Sequence, residues 1–222
     1  MNVVIAVDGP SGSGKSTVSK AVARKLGLGY LDTGAMYRAA AWWAHHCGID
    51  LDDHEAVTAA VAKMNLRMPL DPDAQNITVA GTDITAAIRT SELSRVVSKV
   101  AVNLDVRAIL VARQQAIIRS AGRIIAEGRD ITTVVAPDAD VRVLLTASEK
   151  TRLERRALEN QGTKDSAALA ATRAEVTERD AKDATVTNFT TAADGVVTID
   201  SSRLSIEQTR DAIIDLVPEE MR

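Results

Sequence analysis

A chain of 222 residues with 45% hydrophobic positions, 2% aromatics and a formal net charge of −3 has apolar material for one α/β domain with an insertion, or for two small domains. The acidic balance argues against a nucleic-acid polymer as main partner, because tracking phosphates needs a basic face. Cys47, the sole cysteine, excludes an intrachain disulfide, and no run approaches the ~18 apolar residues of a membrane span; the expectation is a soluble, cytoplasmic monomer without membrane contact.

In chain order, Val3-Val4-Ile5-Ala6-Val7 is a short apolar run and reads as a buried parallel strand. Gly9-Pro10-Ser11-Gly12-Ser13-Gly14-Lys15-Ser16 follows it and fits G-x-x-x-x-G-K-[ST], the phosphate-binding P-loop; Thr17 adjoins it. Gly9, Gly12 and Gly14 give the backbone conformations closed to side chains with a Cβ, so that several N–H groups can point at one phosphate. Lys15 supplies a charge for the β- and γ-phosphates, and the Ser16 hydroxyl is a candidate Mg²⁺ ligand. Val18, Val22 and Leu26 recur every four residues, so a helix starts near Lys15 and aims its N-terminus at the anion. The pattern points to a nucleoside triphosphate and leaves the fate of its γ-phosphate open.

Gly27 and Gly29 mark a stop. Ala39 to His46 continues as a helix, and another spans Asp53 to Met64 with Asp52 or Asp53 as cap. His45, His46 and His54 read as a solvated helix face rather than a zinc site. Leu66 to Leu70 and Asn76 to Ala80 are strand-like runs separated by Asp71-Pro72-Asp73, with Gly81-Thr82-Asp83 leading onward, as in a small antiparallel insert. Helical spacing returns at Ser91, and again after Asp105 as far as Gly122. Arg123 to Glu127 reads as a buried strand stopping at Gly128-Arg129-Asp130. Val141 to Leu145 is another strand, with helices to about Asn160 and from Thr163 to Lys182 beyond it. Val196 to Ile199 is the last strand and Ser205 to Leu216 the last helix, capped by Ser205. Strands alternating with helices give a parallel sheet covered on both faces, with ligands at the carboxyl ends of its strands.

The arginines fall into two sets. Arg38, Arg107 and Arg129 stand beside strand ends or helix starts that could face the P-loop, and a guanidinium fork suits phosphate oxygens. Arg152, Arg155, Arg156, Arg173 and Arg179 lie in the charged helices. For Arg152 and Arg173 the expectation is solvated helix charge, with pairs such as Glu175–Arg179.

The chain resembles the bacterial cytidylate (CMP) kinases, which are nucleoside monophosphate (NMP) kinases. The resemblance rests on the P-loop, on Leu31-Asp32-Thr33-Gly34-Ala35-Met36-Tyr37-Arg38, on Glu127-Gly128-Arg129-Asp130 with Thr133-Val134-Val135, and on Glu178-Arg179-Asp180 with Asp183. It covers nearly the whole chain. It implies a three-layer P-loop NTPase α/β fold, with an inserted NMP-binding subdomain over residues 63–102 and a helical lid over residues 150–188. It implies transfer of phosphate from ATP, with Mg²⁺, to CMP and dCMP. The acceptor phosphate would be held by Arg38 and Arg129, helped by Tyr37 and Thr33. Cytosine would be held by Ser98, Arg107 and Asp130, the ribose by Arg179 and Asp183. Arg155 and Arg156 would reach the transferring phosphoryl group. An ionised Asp only accepts hydrogen bonds and cytosine offers an amino donor, so Asp130 suits base selection. Two positions depart from the family: Val186 stands where a phosphate-binding arginine is expected, and Ala136 where an aromatic is. A regulatory nucleotide-binding module without turnover is the rival reading.

Overall fold

The computed structural model describes residues 2–222; the side chains of Asn160, Glu175 and Arg179 lie outside the described residues, and with them the Glu175–Arg179 pair. Five parallel strands form the central sheet: β1 (Val3–Asp8), β2 (Gly29–Asp32), β6 (Arg123–Gly128), β7 (Val141–Thr146) and β8 (Val197–Asp200). Their order is β2-β6-β1-β7-β8, which puts β1 at the centre. Val3 pairs with Arg123 on one side, and Ile5 with Val141 on the other.

The apolar content of β1 requires cover on both faces. Ile5 and Val7 pack with Val18 and Val22 of α1 (Lys15–Leu26) and with Ile213 and Ile214 of α8 (Ile206–Ile214). Ala6, Ile124 and Ala126 pack on the opposite face with α2 (Thr33–His46) and α5 (Leu104–Ala121). All of these strand residues are fully buried, and a buried Val or Ile contributes about 1.5–3 kcal/mol. The result is the three-layer α/β arrangement expected from the sequence.

β2 was not legible. Its four residues follow the Gly27–Gly29 stop and run directly into α2, where Asp32 Oδ1 accepts from the Ala35 N–H at 2.7 Å. α3 (His54–Lys63) is capped by Asp53. The antiparallel insert has one more strand than expected: β3 (Leu66–Arg67), β4 (Thr78–Val79) and β5 (Thr82–Asp83). Thr82–Asp83, read as a lead-out, instead pairs with β4 across a two-residue turn in which Ala80 and Gly81 both have positive φ, 49° and 83°. That is the twist a tight hairpin requires. α4 (Ser91–Ala101) follows. α5 begins at Leu104 rather than after Asp105, because Asn103 Oδ1 accepts from the Asp105 and Val106 N–H groups. α6 (Glu149–Gln161) and α7 (Ser166–Asp183) form the charged helical pair, α7 starting later than Thr163 because Asp165 caps it. Ser205 and Gln208 form a reciprocal capping box at α8. Among the described residues no helix is long and apolar enough to cross a membrane.

Candidate active site

The P-loop joins β1 to α1 and packs backbone against backbone. A Cβ on Gly9 would lie 2.1 Å from the Leu145 carbonyl oxygen, and one on Gly12 2.5 Å from that of Arg152. Both glycines also have positive φ, 153° and 77°, so the sequence has no other residue type to use there. Three cations brace the loop from outside its own segment or from its far end. Lys15 Nζ donates to the Pro10 carbonyl at 3.0 Å. Arg152 donates to the Ser11 carbonyl at 2.9 Å. Arg155 donates to the Ser13 carbonyl at 3.1 Å and to Ser201. Ser201 Oγ lies 3.0 Å from the carbonyl oxygens of both Ser13 and Thr146.

Arg152 therefore differs from its expectation as solvated charge. It is held between Ser11 and Asp180, with its side chain 17% exposed. Arg173 does sit on the surface, 3.6 Å from Glu149. Burial lowers Lys15 to about 8, with Glu127 pulling the other way. Glu127 and Asp180 only partly offset the cost of burying this ammonium.

The sequence marks Glu127 as a polar strand end and as the start of the Glu127–Asp130 segment, without a partner or role for its side chain. Its Oε1 accepts from the Ser16 hydroxyl at 2.6 Å and from the Tyr30 phenol at 3.1 Å. Burial raises its carboxyl, and Asp32 adds to the effect. A hydroxyl and a carboxylate side by side at the P-loop are hard oxygen donors of the kind Mg²⁺ takes. The visible signal was a carboxylate in the last turn of the apolar run Arg123-Ile124-Ile125-Ala126-Glu127.

A cavity of about 760 Å³ opens over the P-loop, and Arg38, Arg89, Arg129, Arg155 and Arg156 reach it. Arg38 pairs with Asp32 at 2.9 Å, and Arg89 stands 3.9 Å from the same oxygen. Burial would raise the Asp32 carboxyl, but Arg38 and Arg89 win and its pKa is lowered. Arg89, from the helical turn after β5, was not singled out by the sequence. Arg129 is tied to Asp180 at 2.8 Å and to Asp183 at 3.1 Å, and its guanidinium lies 4.2 Å from the centre of the buried Phe189 ring. Arg156 pairs within its own helix with Glu159 at 2.9 Å.

Arg107 does not face the P-loop as its place at a helix start suggested; it stands with Asp130, the residue the resemblance groups it with. It donates to Asp130 in a second cavity of about 50 Å³, lined also by Thr33, Tyr37, Asp183 and Val186. The reason is α5, whose first turn is aimed at the segment after β6. Burial raises the Asp130 carboxyl against the pull of Arg107. Tyr37 is buried with its ring 5.9 Å from the Arg107 guanidinium, and Thr33 donates to the Glu127 carbonyl at 2.8 Å. Ser98 lies apart, in a narrow cleft with Ser94, Val176 and Glu178. No group of metal-binding side chains drawn from three or more His, Cys, Asp or Glu occurs among the described residues.

Comparison with known proteins agrees with this arrangement. The family model described as cytidylate kinase matches residues 5–219. The cytidylate kinase of Streptomyces avermitilis is 45% identical over 219 residues, covering 98% of this chain and 93% of that protein. That of Cutibacterium acnes is 44% identical over 222 residues, covering 99% and 98%. A solved structure of an uncharacterized protein from Eubacterium ventriosum matches with a TM-score of 0.53 and 13% identity, over 97% of this chain and 98% of that one; this likeness reaches the fold alone. Because the family match takes in the P-loop, the segment after β2, the segment after β6 and the helical pair together, the chain belongs to the cytidylate kinase family and is a phosphotransferase.

Proposed function

We propose that the protein transfers the γ-phosphoryl group of ATP to CMP, and to dCMP, giving the diphosphate and ADP. The observation that carries this reading is the placement of Arg129 and Asp130 on consecutive positions after β6. Arg129 lines both the P-loop cavity and the small one, and Asp130 lines the small one with Arg107. One loop thus offers an anion site and a hydrogen-bond acceptor for an amino group, at the spacing of adjacent residues.

In this reading the Gly9–Thr17 backbone and Lys15 hold the donor phosphates. Ser16 and Glu127 would hold Mg²⁺, which supplies neutralising charge to the phosphates when bound. Arg38 and Arg129 take the acceptor phosphate, beside Tyr37 and Thr33. Asp130 and Arg107 take the base, which Ser98 joins only if its separate cleft opens toward them, and Asp183 and Arg179 the ribose. Residues 63–102 form the NMP-binding insert and residues 150–188 the lid, from which Arg156 approaches the transferring group. The acceptor is already an anion at neutral pH, so the protein needs no strong general base. Its task is to align the two oxygens and offset their charge. A cavity of about 50 Å³ beside Asp130 has room for roughly one or two waters. Entry of a base therefore needs the Asp183–Thr187 segment to move outward, and Arg129 must exchange Asp180 and Asp183 for phosphate.

The test is a coupled assay with ATP and a panel of CMP, dCMP, UMP, AMP and GMP. CMP and dCMP should show the highest kcat/KM. Turnover of another monophosphate in preference would reassign the base pocket, and binding of ATP without turnover of any would favour the regulatory module.

A further inference from the structure

Asp8 is a buried carboxylate, 2% exposed, in the last position of the central strand β1. It immediately precedes the P-loop, yet it makes none of its hydrogen bonds there. Asp8 Oδ1 accepts from the Ile131 N–H at 2.8 Å, and Oδ2 accepts from the Thr132 N–H at 2.8 Å and the Thr132 hydroxyl at 2.6 Å. The sheet register makes this possible, because Asp8 lies opposite Gly128 and the chain turns just beyond it.

Ile131 and Thr132 begin the helical turn Ile131–Val135, and their N–H groups are the orphan donors of that turn. The residue at its cap position is Asp130, with φ −147° and ψ 23° and no side-chain capping bond. Aspartate at such a position ordinarily folds back to accept from the following N–H groups. Here those donors already belong to Asp8, and the Asp130 carboxylate instead points to Arg107 in the small cavity.

We propose that Asp8 is a positioning residue that caps the Ile131–Val135 turn from outside, and so keeps the Asp130 carboxylate free to select the base of the acceptor nucleotide. The proposal deepens the reading of Asp130 as the base contact and rests on it. It also gives the first strand a part in both halves of the reaction, since one end of the same residue's backbone opens the donor loop. Without the external cap, Asp130 would have two buried N–H groups to satisfy and would turn away from Arg107 to reach them.

Two variants and a cycle test this. Asp8→Asn keeps the size but places an amide donor against one of the N–H groups. It should raise KM for CMP by about tenfold and lower the CMP:UMP preference by a similar factor, while KM for ATP stays within about twofold. Thr132→Val removes only the hydroxyl bond and should move the same quantities by about threefold. Because Asp8 acts through Asp130, adding Asp8→Asn to Asp130→Asn should change the CMP:UMP ratio by less than about twofold. Full additivity in that cycle would overturn the proposal. So would a folded Asp8→Asn with unchanged CMP:UMP preference, or parallel rises in KM for both nucleotides. If Asp8→Asn fails to fold, Thr132→Val takes its place in the cycle, and no change in its CMP:UMP ratio sinks the idea. A wild-type enzyme that does not prefer CMP to UMP would instead overturn the parent reading of Asp130. In that event amide exchange still reads the cap. It should speed up at Ile131 and Thr132 in Thr132→Val, relative to the Ile5 and Ala6 amides of β1, and equal protection would remove it.

Discussion

The floor of the site and the helix α7 above it are held by different kinds of bond. The P-loop is fixed by donors aimed at its own carbonyl groups, from Lys15, Arg152 and Arg155, and by close backbone contacts at Gly9 and Gly12. α6 belongs with that floor, since Arg152 and Arg155 are its residues, whereas α7 meets the rest of the site through side-chain ion pairs, Asp180 and Asp183 to Arg129 and Asp180 to Arg152 of α6. Backbone-directed bonds in a packed strand-to-helix junction survive ligand binding. Ion pairs between a guanidinium and a carboxylate can be exchanged for a guanidinium and a phosphate at little net change in charge contacts. The P-loop and α6 thus form one fixed unit, and α7 is the element set to rearrange.

The largest expected effect tests the floor. Lys15→Ala should cut kcat by about 10²-fold or more, as for loss of one preorganised charge-stabilising donor, while CMP binding and melting temperature stay close to wild type. Near-normal turnover would mean that the floor is not the donor site.

The two neighbouring arginines of α6 sharpen the contrast next. Arg156→Ala should lower kcat by about tenfold or more with little change in CMP binding, because its side chain lines the cavity and, among the described residues, pairs with Glu159. Arg155→Ala should instead raise KM for ATP and lower stability by roughly 1–3 kcal/mol, since it leaves the Ser13 and Ser201 carbonyls short of donors. Measuring kcat, both KM values and denaturation midpoints for each separates the roles; identical profiles would erase the distinction between the two arginines.

A third change addresses the base pocket. Asp130→Asn gives the pocket an amide that can donate to the O4 of uracil, and the CMP:UMP ratio of kcat/KM should fall by about tenfold. An unchanged ratio would move the base contact to another side chain.

Proton uptake is a finer probe of the floor. Burial holds Lys15 at about 8, below the ordinary value of 10.5. Bound phosphates favour its charged form, so ATP binding should take up as much as one proton between pH 8 and 10.5, and affinity should weaken as pH rises through 8. Over the same window the unfolded chain binds more protons than the folded one at this site, so the nucleotide-free fold gains stability from Lys15 as pH rises. Calorimetry of ATP binding in two buffers of different ionisation enthalpy checks the uptake. Zero uptake at pH 9 would mean a normal lysine.

The smallest effect belongs to Val186. It lines the cavity with Asp130 and Arg107 rather than the one over the P-loop, so Val186→Arg should change kcat by only a few-fold, in keeping with overlapping arginine effects. A gain of an order of magnitude would show a helical pair short of charge.

The P-loop was legible because its pattern is contiguous, and the structure places its glycines at the close backbone contacts of the β1–α1 junction. The large strands β1, β6 and β7 could also be read as apolar runs, but not their order in the sheet, which is set by pairing between distant segments. β2 escaped because a four-residue strand between a glycine stop and a helix cap has no room for periodicity. Arg152 escaped for a different reason. On a helix its charge looks like any solvated arginine, and only the packing of α6 against Gly12 shows that it faces the Ser11 carbonyl. Asp8 and Glu127 were visible as polar strand ends, but their partners lie more than a hundred residues away along the chain, a distance over which local pattern carries no information.

The sheet order also has a consequence for synthesis. β1 is made first and sits between β6 and β7, so Val3 cannot pair until Arg123 has been added. At about 5–20 residues per second, that leaves an apolar strand with both edges open for roughly ten seconds on the ribosome. The P-loop waits longer, because Thr146 and Ser201 close around Ser13 only when β7 and the turn after β8 arrive. A nascent chain stalled before Ser201 would display the complete nucleotide motif and still lack the walls that shape it, so nucleotide cannot template the early stages of folding and can only lock the finished sheet.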